Sequence, residues 1–580
     1  GNRVFKSTDR GDTWMRSDDL SKDQDREKFP IMGALPDKDM LSRHDGVQTF
    51  GQTVTIAEST IKEGLLYAGT DDGNLHVSRD GAKTWKNITD KVPGIPKNCY
   101  VSRVVPSRFA EGTVYATFDN HRSDDYGTYV FVSTDFGESW KSLKSDLPAG
   151  VTCRVIREHT RNQNLLFLGT EFGAYASLDR GGHWTRLKGN LPLVRVDDIQ
   201  IHPRDNDLVL GTHGRSVWVL DNITALEKMS DAVMSSDVAV FDIPAATEFR
   251  LYNRKGNVGH KWFTAPNPPN GAMIDYYLKM KPEGNVRITI SDASGKVVRE
   301  LAGAREAGVN RVVWDLRMGA PGQALGGGRG GGGRGGGGGG AGRPAGQQAG
   351  QQPATAEPGA AAGETPQPGG GGGGGFGGGA RGPRVAPGEY TVKVSASGKE
   401  ASAVVRVQED PRIQMSDADR AKWNDALMKA YELSRSAQAA GRAVQNLKTQ
   451  MTSVQDSLRR TPNVPKEVND AVKSLSDQID DAQRKIVQTF DNSGGAGPPL
   501  PGAPRPITGR IGQFFNGLDS YTAAPTADQL ARLSELTTEL RALVDQLNKI
   551  IEESVPNLNK QIRDSGVAFV NPGQRVPPPQ

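Results

Sequence analysis

Ten polar residues fall in short stretches that read as turns, and their types define the chemistry to consider. The stretches are Gly69-Thr-Asp71-Asp72-Gly73, Asp119-Asn-His121-Arg122-Ser-Asp124-Asp125-Tyr126, Gly169-Thr-Glu171-Phe-Gly173 and Gly211-Thr-His213-Gly-Arg215. If they converge, these carboxylates, histidines and arginines could coordinate a cation, grip a sugar's hydroxyls or hold a peptide terminus. The same residues read equally as hairpin turns whose polar side chains face water. The stretch from Asp119 to Tyr126 is longer than a turn requires, which makes it the strongest candidate. A glycosidase would need two carboxylates flanking the scissile bond, roughly 5–10 Å apart. Composition permits that arrangement, but spacing does not establish it, and no catalytic residue is assigned.

The elements that would position these residues repeat. One pattern occurs four times: Ser7-Thr-Asp9-Arg-Gly11-Asp-Thr13-Trp14, Ser78-Arg-Asp80-Gly81-Ala-Lys-Thr84-Trp85, Ser133-Thr-Asp135-Phe-Gly137-Glu-Ser139-Trp140 and Ser177-Leu-Asp179-Arg-Gly181-Gly-His183-Trp184. The second copy carries its glycine one place early. In each copy the Asp can accept hydrogen bonds from its own turn, the Gly permits a positive φ, and the Trp packs to anchor the next strand. Asp9, Asp80, Asp135 and Asp179 are therefore read as turn formers, not as acids.

Around the copies lies a common strand grammar. A run with strand alternation (53–58, 101–105, 153–156, 198–202) is followed by a second (65–70, 113–117, 165–170, 208–212). A third (75–77, 129–132, 174–176) leads into the pattern, and a fourth starts at its Trp. Four short antiparallel strands per unit describe a propeller blade. The turn between strands two and three then lies on the face opposite the turn between strands three and four. The ten polar residues are thus expected on one rim of the central channel, and the repeated turns on the other.

The repeated pattern is the Asp-box, and residues 1 to about 222 resemble the Asp-box (BNR-like) propellers. The closest resemblance is to the sortilin-type, "glycosyl hydrolase"-labelled repeat proteins of bacteria. The Gly-Thr turns and Val217-Trp-Val-Leu-Asp221 reinforce it. The resemblance implies a secreted, periplasmic or cell-surface protein. Related sialidases use a trio of arginines beside a Tyr/Glu pair, and no motif here matches it. Xyloglucanases share the Asp-box but place their acids between two propellers, and no second propeller is visible. Three blades read as whole, one as a tail (residues 4–16), and the last (about 193–222) lacks its box. Propellers close with about four to eight blades, so the expectation is a fragment, or a propeller completed by sequence outside this chain.

Composition narrows the alternatives. The 580 residues carry Lys+Arg 71 against Asp+Glu 67, a net charge of +4, so bulk charge names no partner. No stretch approaches 18 consecutive apolar residues, so no membrane span is expected, and no signal peptide is visible. No His-Glu-x-x-His, paired Cys-x-x-Cys, Walker loop or dinucleotide fingerprint occurs. Metal and nucleotide enzymes are disfavoured, and no cofactor is expected. The two cysteines, Cys99 and Cys153, start inner strands of neighbouring blades; two buried thiols are the expected form, although a disulfide is conceivable.

Beyond a linker at 223–236, alternating runs at 274–278, 286–292, 296–299, 311–316, 390–394 and 403–407 read as an Ig-like sandwich over 237–410. Gly308-Val-Asn310 leading to Trp314-Asp315 gives it a resemblance to the Ig domain of hook-capping proteins. A glycine-rich tract, residues 319–384, interrupts it with 31 of the chain's 71 glycines. Strand residues resume beyond it, so it is read as an oversized, disordered loop. Its two Arg-Gly-Gly segments resemble those that bind single-stranded nucleic acid, but arginines and aromatics are too sparse for that partner to be expected. From residue 411 a 4-3 apolar spacing predicts three helices in an antiparallel bundle to about 556, with caps at Ser416 and Thr526, and then a tail, 557–580, that is expected to be disordered from Asn571.

The fold class expected is multidomain and mainly β: propeller blades, a sandwich and a helical bundle. The modular layout favours a non-catalytic recognition or scaffold protein whose rim binds a peptide, glycan or protein partner. A secreted glycoside hydrolase using the rim carboxylates, or a site in sequence upstream, is the alternative. The sequence leaves the oligomeric state open.

Overall fold

The computed structural model describes residues 1–22, 25–28, 30, 34–37, 50–250, 267–319, 382–462, 464–487, 505–563 and 567–579. The N-terminal part holds five antiparallel sheets in chain order. A hairpin (Phe5–Lys6, Met15–Arg16) comes first. Blade one comprises Thr53–Glu58, Leu66–Thr70, Leu75–Ser78 and Lys86–Asn87. Blade two comprises Tyr100–Pro106, Val114–Asp119, Tyr129–Ser133 and Lys141–Ser142. Blade three comprises Cys153–Glu158, Leu166–Thr170, Gly173–Ser177 and Thr185–Arg186. The last sheet has three strands, Val196–Ile201, Leu208–Thr212 and Val217–Leu220. Each four-stranded sheet is a simple meander, the topology of a propeller blade.

The sheets stack face against face through apolar side chains. Leu75 and Val77 of blade one share a cluster with Phe131 and Trp140 of blade two. Val130 of blade two joins Tyr175 and Trp184 of blade three. Ala174 and Ala176 of blade three meet Trp218 of the last sheet. The first strands of successive sheets are neighbours, which makes them the inner strands. All four inner strands slip register near their start, between Thr53/Thr55, Val101/Arg103, Cys153/Val155 and Val196/Asp198. Each slip is a bulge, which turns one side chain out of the strand's alternation.

The four repeated turns form one hydrogen-bonded device. In the first, the Gly11 N–H donates to Ser7 Oγ at 2.7 Å, the Thr13 N–H to Asp9 Oδ1 at 2.9 Å, and the Thr13 hydroxyl to Asp9 Oδ2 at 2.5 Å. Residues ten and eleven are both left-handed, Arg10 at φ 60° and Gly11 at φ 102°. The displaced glycine of the second copy leaves Ala82 in the later of those positions, at φ 71°. An L-residue there costs about 1–2 kcal/mol, so Ala82→Gly is expected to raise stability by roughly 1 kcal/mol. A lower urea midpoint in the variant would refute this account.

These turns also predict an acid limb. Hydrogen bonds from Thr13, Thr84 and Ser139 lower the carboxyls of Asp9, Asp80 and Asp135 to about 2. A depressed carboxyl adds stability that is complete above its unfolded value near 4 and is lost as pH falls through the folded value. Thermal unfolding should therefore show Tm falling between about pH 4 and pH 2. Asp135→Asn should flatten that fall, and an unchanged slope would count against the turns as its source.

After a short helix, Thr224–Glu227, the chain builds a two-sheet sandwich. Three strands (Val238–Val240, Ala272–Leu278, Gly308–Trp314) face five (Ala246–Glu248, Lys399–Glu409, Gly388–Ala396, Val286–Ser291, Val297–Gly303). Ile274, Tyr276 and Trp314 from one sheet and Ile288, Val392 and Val405 from the other make the core. Ala246–Glu248 pairs in parallel with Lys399–Glu409, unlike the other strand pairs described. Residues 320–381, most of the glycine tract, lie outside the described residues. Its flanks are stitched together, with Arg317 bridging Arg384 and the Met318 N–H donating to the Pro383 carbonyl. Arg311 ties the sandwich to the last propeller sheet, donating to Asp275 and to the Asp221 and Asn222 carbonyls.

The helical part differs from expectation in three ways, one being that helix continues through Val555–Gln561, past the expected end at about 556. Besides Asp417–Arg460, Lys466–Ile486 and Ala527–Lys549, a further helix, Ile507–Ser520, packs into the same core through Ile507, Ile511, Phe515 and Leu518. Its three glycines lower helix propensity and hid it from sequence reading. The expected disordered tail from residue 571 is a third correction. Asn548, buried among the helices, exchanges hydrogen bonds with both backbone groups of Val576 at 2.9 Å, and Val576 is buried. Asn559 does the same for Val570. Two asparagine amides thus stand in for a neighbouring strand. Ser416 and Thr526 cap their helices by accepting from Asp419 and Gln529 N–H groups.

Candidate functional site

The second-to-third-strand turns of blades two and three are joined by Arg154, a residue absent from the sequence candidates. It occupies the bulge in its inner strand, which directs its guanidinium to the rim. Arg154 Nη1 bonds Asp119 Oδ2, and Nη2 bonds Glu171 Oε2 at 2.7 Å. Asp119 is buried, and His121 Nδ1 also meets its carboxylate at 2.7 Å. Burial would raise the Asp119 carboxyl, but the His121 hydrogen bond and the Arg154 charge together hold it below its usual value. One cation therefore binds two acids from adjacent blades.

The loop after Asp119 is braced from within. Asp125 accepts from Asn120 Nδ2 at 2.9 Å, the Gly127 N–H at 2.9 Å and the Tyr129 hydroxyl at 2.8 Å. These bonds outweigh burial and lower the Asp125 carboxyl, while burial and the same bond raise the Tyr129 phenol. Arg122 lies over the Tyr100 ring, 5.4 Å from its centroid. Asp124, at φ 59°, and Tyr126 are left exposed in this loop, and Phe172 is exposed in the turn of the next blade.

The remaining candidates divide. Asp71 is buried, accepts the Gly51 and Gln52 N–H groups at 2.9 and 2.6 Å, and has its carboxyl raised by that burial. Asp72 accepts from the Lys22 N–H at 2.6 Å and from the Thr70 hydroxyl. Asp71 ties its turn to the segment entering the first strand of the blade, and Asp72 ties it to the backbone at Lys22. His213 is exposed, with Arg195 Nη2 2.9 Å from its Nδ1. Arg215 is exposed and meets none of the other candidates in any described hydrogen bond or ion pair. Structure thus gathers Asp119, His121 and Glu171 around Arg154, sets Arg122, Asp124 and Asp125 in the adjoining loop, leaves Asp71 and Asp72 on the neighbouring turn with Asp71 within reach of the Arg122 charge, and keeps His213 and Arg215 out of this hydrogen-bonded group.

Below the rim, the inner strands carry a second polar group. Arg103 Nη2 and Arg157 Nη2 lie 3.2 and 3.6 Å from the same Asp198 oxygen. They border a cleft of about 210 Å³ that also touches Glu58 and Glu158. Glu158 is buried and raised by it, yet accepts from Ser107, Tyr115 and the Arg108 N–H. Among the described residues no group of His, Cys, Asp and Glu is arranged to hold a metal ion. Cys99 and Cys153 are free and buried in different clusters, and burial pushes the Cys153 thiol up to about 12. Among the described residues no helix is long and apolar enough to cross a membrane.

No family profile matches the chain. It is 31% identical over 88 residues to an oligoxyloglucan-reducing end-specific xyloglucanase of Emericella nidulans, covering 15% of this chain and 10% of that protein. Among solved structures, a GH74 xyloglucanase from Xanthomonas campestris aligns at 14% identity and TM-score 0.28, over 52% of this chain and 47% of that one. An ancestral GH74 enzyme aligns at 16% and 0.27, over 52% and 35%. YCF48 bound to D1 peptide aligns at 14% and 0.22, over 45% and 72%. The chain spans a tenth of the curated relative and less than half of the two GH74 structures. At these TM-scores the blade assignment rests on the chain's own strand order and registers.

Proposed function

We propose that the chain is a non-catalytic recognition protein, in which an Asp-box propeller over residues 1–222 presents its rim to a peptide, glycan or protein partner outside the cytoplasm. On this reading the Ig-like sandwich, 237–410, and the helical bundle from 411 carry that rim as spacer and support. One observation carries the proposal. These candidate acids are already engaged by neighbouring groups: Asp119 and Glu171 share Arg154, Asp125 has three donors, and Asp71 has two backbone N–H groups. A glycosidase acid pair must keep one carboxyl free to protonate the leaving oxygen and another free to attack or activate water. What the rim leaves outward is Asp124, Tyr126, Arg122 and Phe172, a set suited to contact: Tyr and Arg are enriched where binding energy concentrates.

The xyloglucanase match supports a second reading, a glycoside hydrolase. Both readings are tested by presenting glycan and peptide arrays, including xyloglucan oligosaccharides, to the purified chain and analysing products. Binding without turnover is expected, weakened roughly tenfold, about 1.4 kcal/mol, by Asp124→Ala with Tyr126→Ala. Both residues are exposed, so the pair should leave the fold intact. Release of shortened sugar would overturn the recognition reading in favour of the hydrolase.

A further inference from the structure

Two joints of the stack lie between whole blades, and they are finished differently. Between blades one and two the space beside the repeated turns is filled. Arg79 lies over the Phe136 ring, 4.6 Å from its centroid, and reaches Glu138 Oε1 at 3.4 Å. Lys86 Nζ meets the same carboxylate at 2.7 Å. One guanidinium, one ring and one acid close that joint.

Counting from the repeated turns, the joint between blades two and three has lost all three. Thr134 stands in the place of Arg79, Arg180 in that of Phe136 and Gly182 in that of Glu138, while Lys141 keeps the place of Lys86. The result is a cleft of about 590 Å³, within the roughly 300–1,000 Å³ usual for small-molecule sites. Both bordering blades carry all four of their strands.

The lining combines cations with apolar surface. Tyr115 and Leu143 are buried against the cleft, and Phe109, 40% exposed, offers it a ring. Lys141 and Gln163 also line it, and among the described residues neither side chain enters a hydrogen bond or ion pair. The two acids at its border are already engaged. Asp179 accepts the His183 N–H at 2.8 Å inside its own turn, and Glu158 accepts from the Ser107 and Tyr115 hydroxyls at 2.9 and 3.1 Å. The filled joint shows which chemistry answers the lysine: a carboxylate opposite its ammonium. In the second joint glycine takes that acid's place, so the matching carboxylate has to come from another molecule.

We propose that this cleft binds a small carboxylate on a ring-sized body, with the carboxylate on Lys141 and the body against Phe109. A charge-assisted hydrogen bond fixes one end of such a ligand and an aromatic face takes the other. The site is distinct from the rim and holds whether or not the rim binds a partner.

Titration of the full chain, followed by ligand-observed NMR, tests it. Glucuronate and phenylacetate are the probes, and glucose and benzyl alcohol are their uncharged controls. At least one carboxylate should bind with a Kd of about 1 mM or below, more tightly than its control, and the tighter of the two identifies the body as sugar or hydrocarbon. Lys141→Gln should weaken that binding roughly tenfold, the loss of one charge-assisted contact. Lys86→Gln removes the same charge from the filled joint and should leave it unchanged. Both lysines are exposed, so folding should survive either change. No saturation by either carboxylate up to about 10 mM, or equal binding of the controls, would overturn the proposal. Binding undiminished in Lys141→Gln, or weakened equally by both variants, would overturn it as well.

Discussion

Arg154→Ala is expected to lower stability by about 3–5 kcal/mol, the range found when one member of a buried ion pair is removed. The reason is Asp119. Its carboxylate is buried, and Arg154 supplies its full-charge partner. Without the guanidinium, the His121 hydrogen bonds would be left to oppose burial alone, and the Asp119 carboxyl would rise from its lowered value. Glu171, one-third exposed, would lose its partner at smaller cost. Arg154→Lys should recover only part of the loss, because an ammonium cannot reproduce the forked contact with two acids. Removing charge on both sides, as in Arg154→Met with Asp119→Asn, should cost less than Arg154→Ala alone. Urea unfolding followed by tryptophan fluorescence measures all three, and a loss below about 1 kcal/mol for Arg154→Ala would mean that water solvates the site as well as arginine does.

The second large effect separates repeats that look alike in sequence. Trp140→Ala and Trp184→Ala should each cost about 3–5 kcal/mol, as large-to-small changes at buried aromatics do. Each indole fills an inter-blade joint and also donates a hydrogen bond, Trp140 to the Gly137 carbonyl at 3.0 Å and Trp184 to the Leu143 carbonyl at 2.9 Å. Trp14 makes the matching bond to the Gly11 carbonyl at 3.0 Å, but its ring is exposed. Trp14→Ala should therefore change the stability of dilute single chains by no more than about 0.5 kcal/mol. Calorimetry at low protein concentration distinguishes the cases, and equal losses at the three positions would contradict the inter-blade account of where the energy lies.

How far the sequence could be read depended on how local each signal was. The turns at Ser7, Ser78, Ser133 and Ser177 are closed by residues within eight positions of one another, so their type and spacing suffice to show the device and its Asp as a hydrogen-bond acceptor. Strand alternation likewise marked the sheets around them and the sandwich around Trp314. The helix Ile507–Ser520 was hidden because glycine weakens the local signal, and only packing of Ile507, Ile511, Phe515 and Leu518 on the long helices compensates. The tail near Val576 was hidden because its partner, Asn548, lies 28 residues away and offers a side chain in place of a strand.

The rim shows the same division at the level of function. Residue types and turn positions were enough to gather Asp119, His121 and Glu171 as candidates, since a repeat of four short strands puts equivalent turns on one face. Arg154 could not be found that way. Alternation along a regular strand would have sent it elsewhere, and a bulge, which depends on how two strands pair, turned it into the cluster. The sequence by itself determined the repeat and its turns, because those follow from backbone preferences over a few residues. Tertiary structure alone decided which acids are paired and which tryptophans are buried between sheets, because charge pairing and burial are set by neighbours far away in the chain.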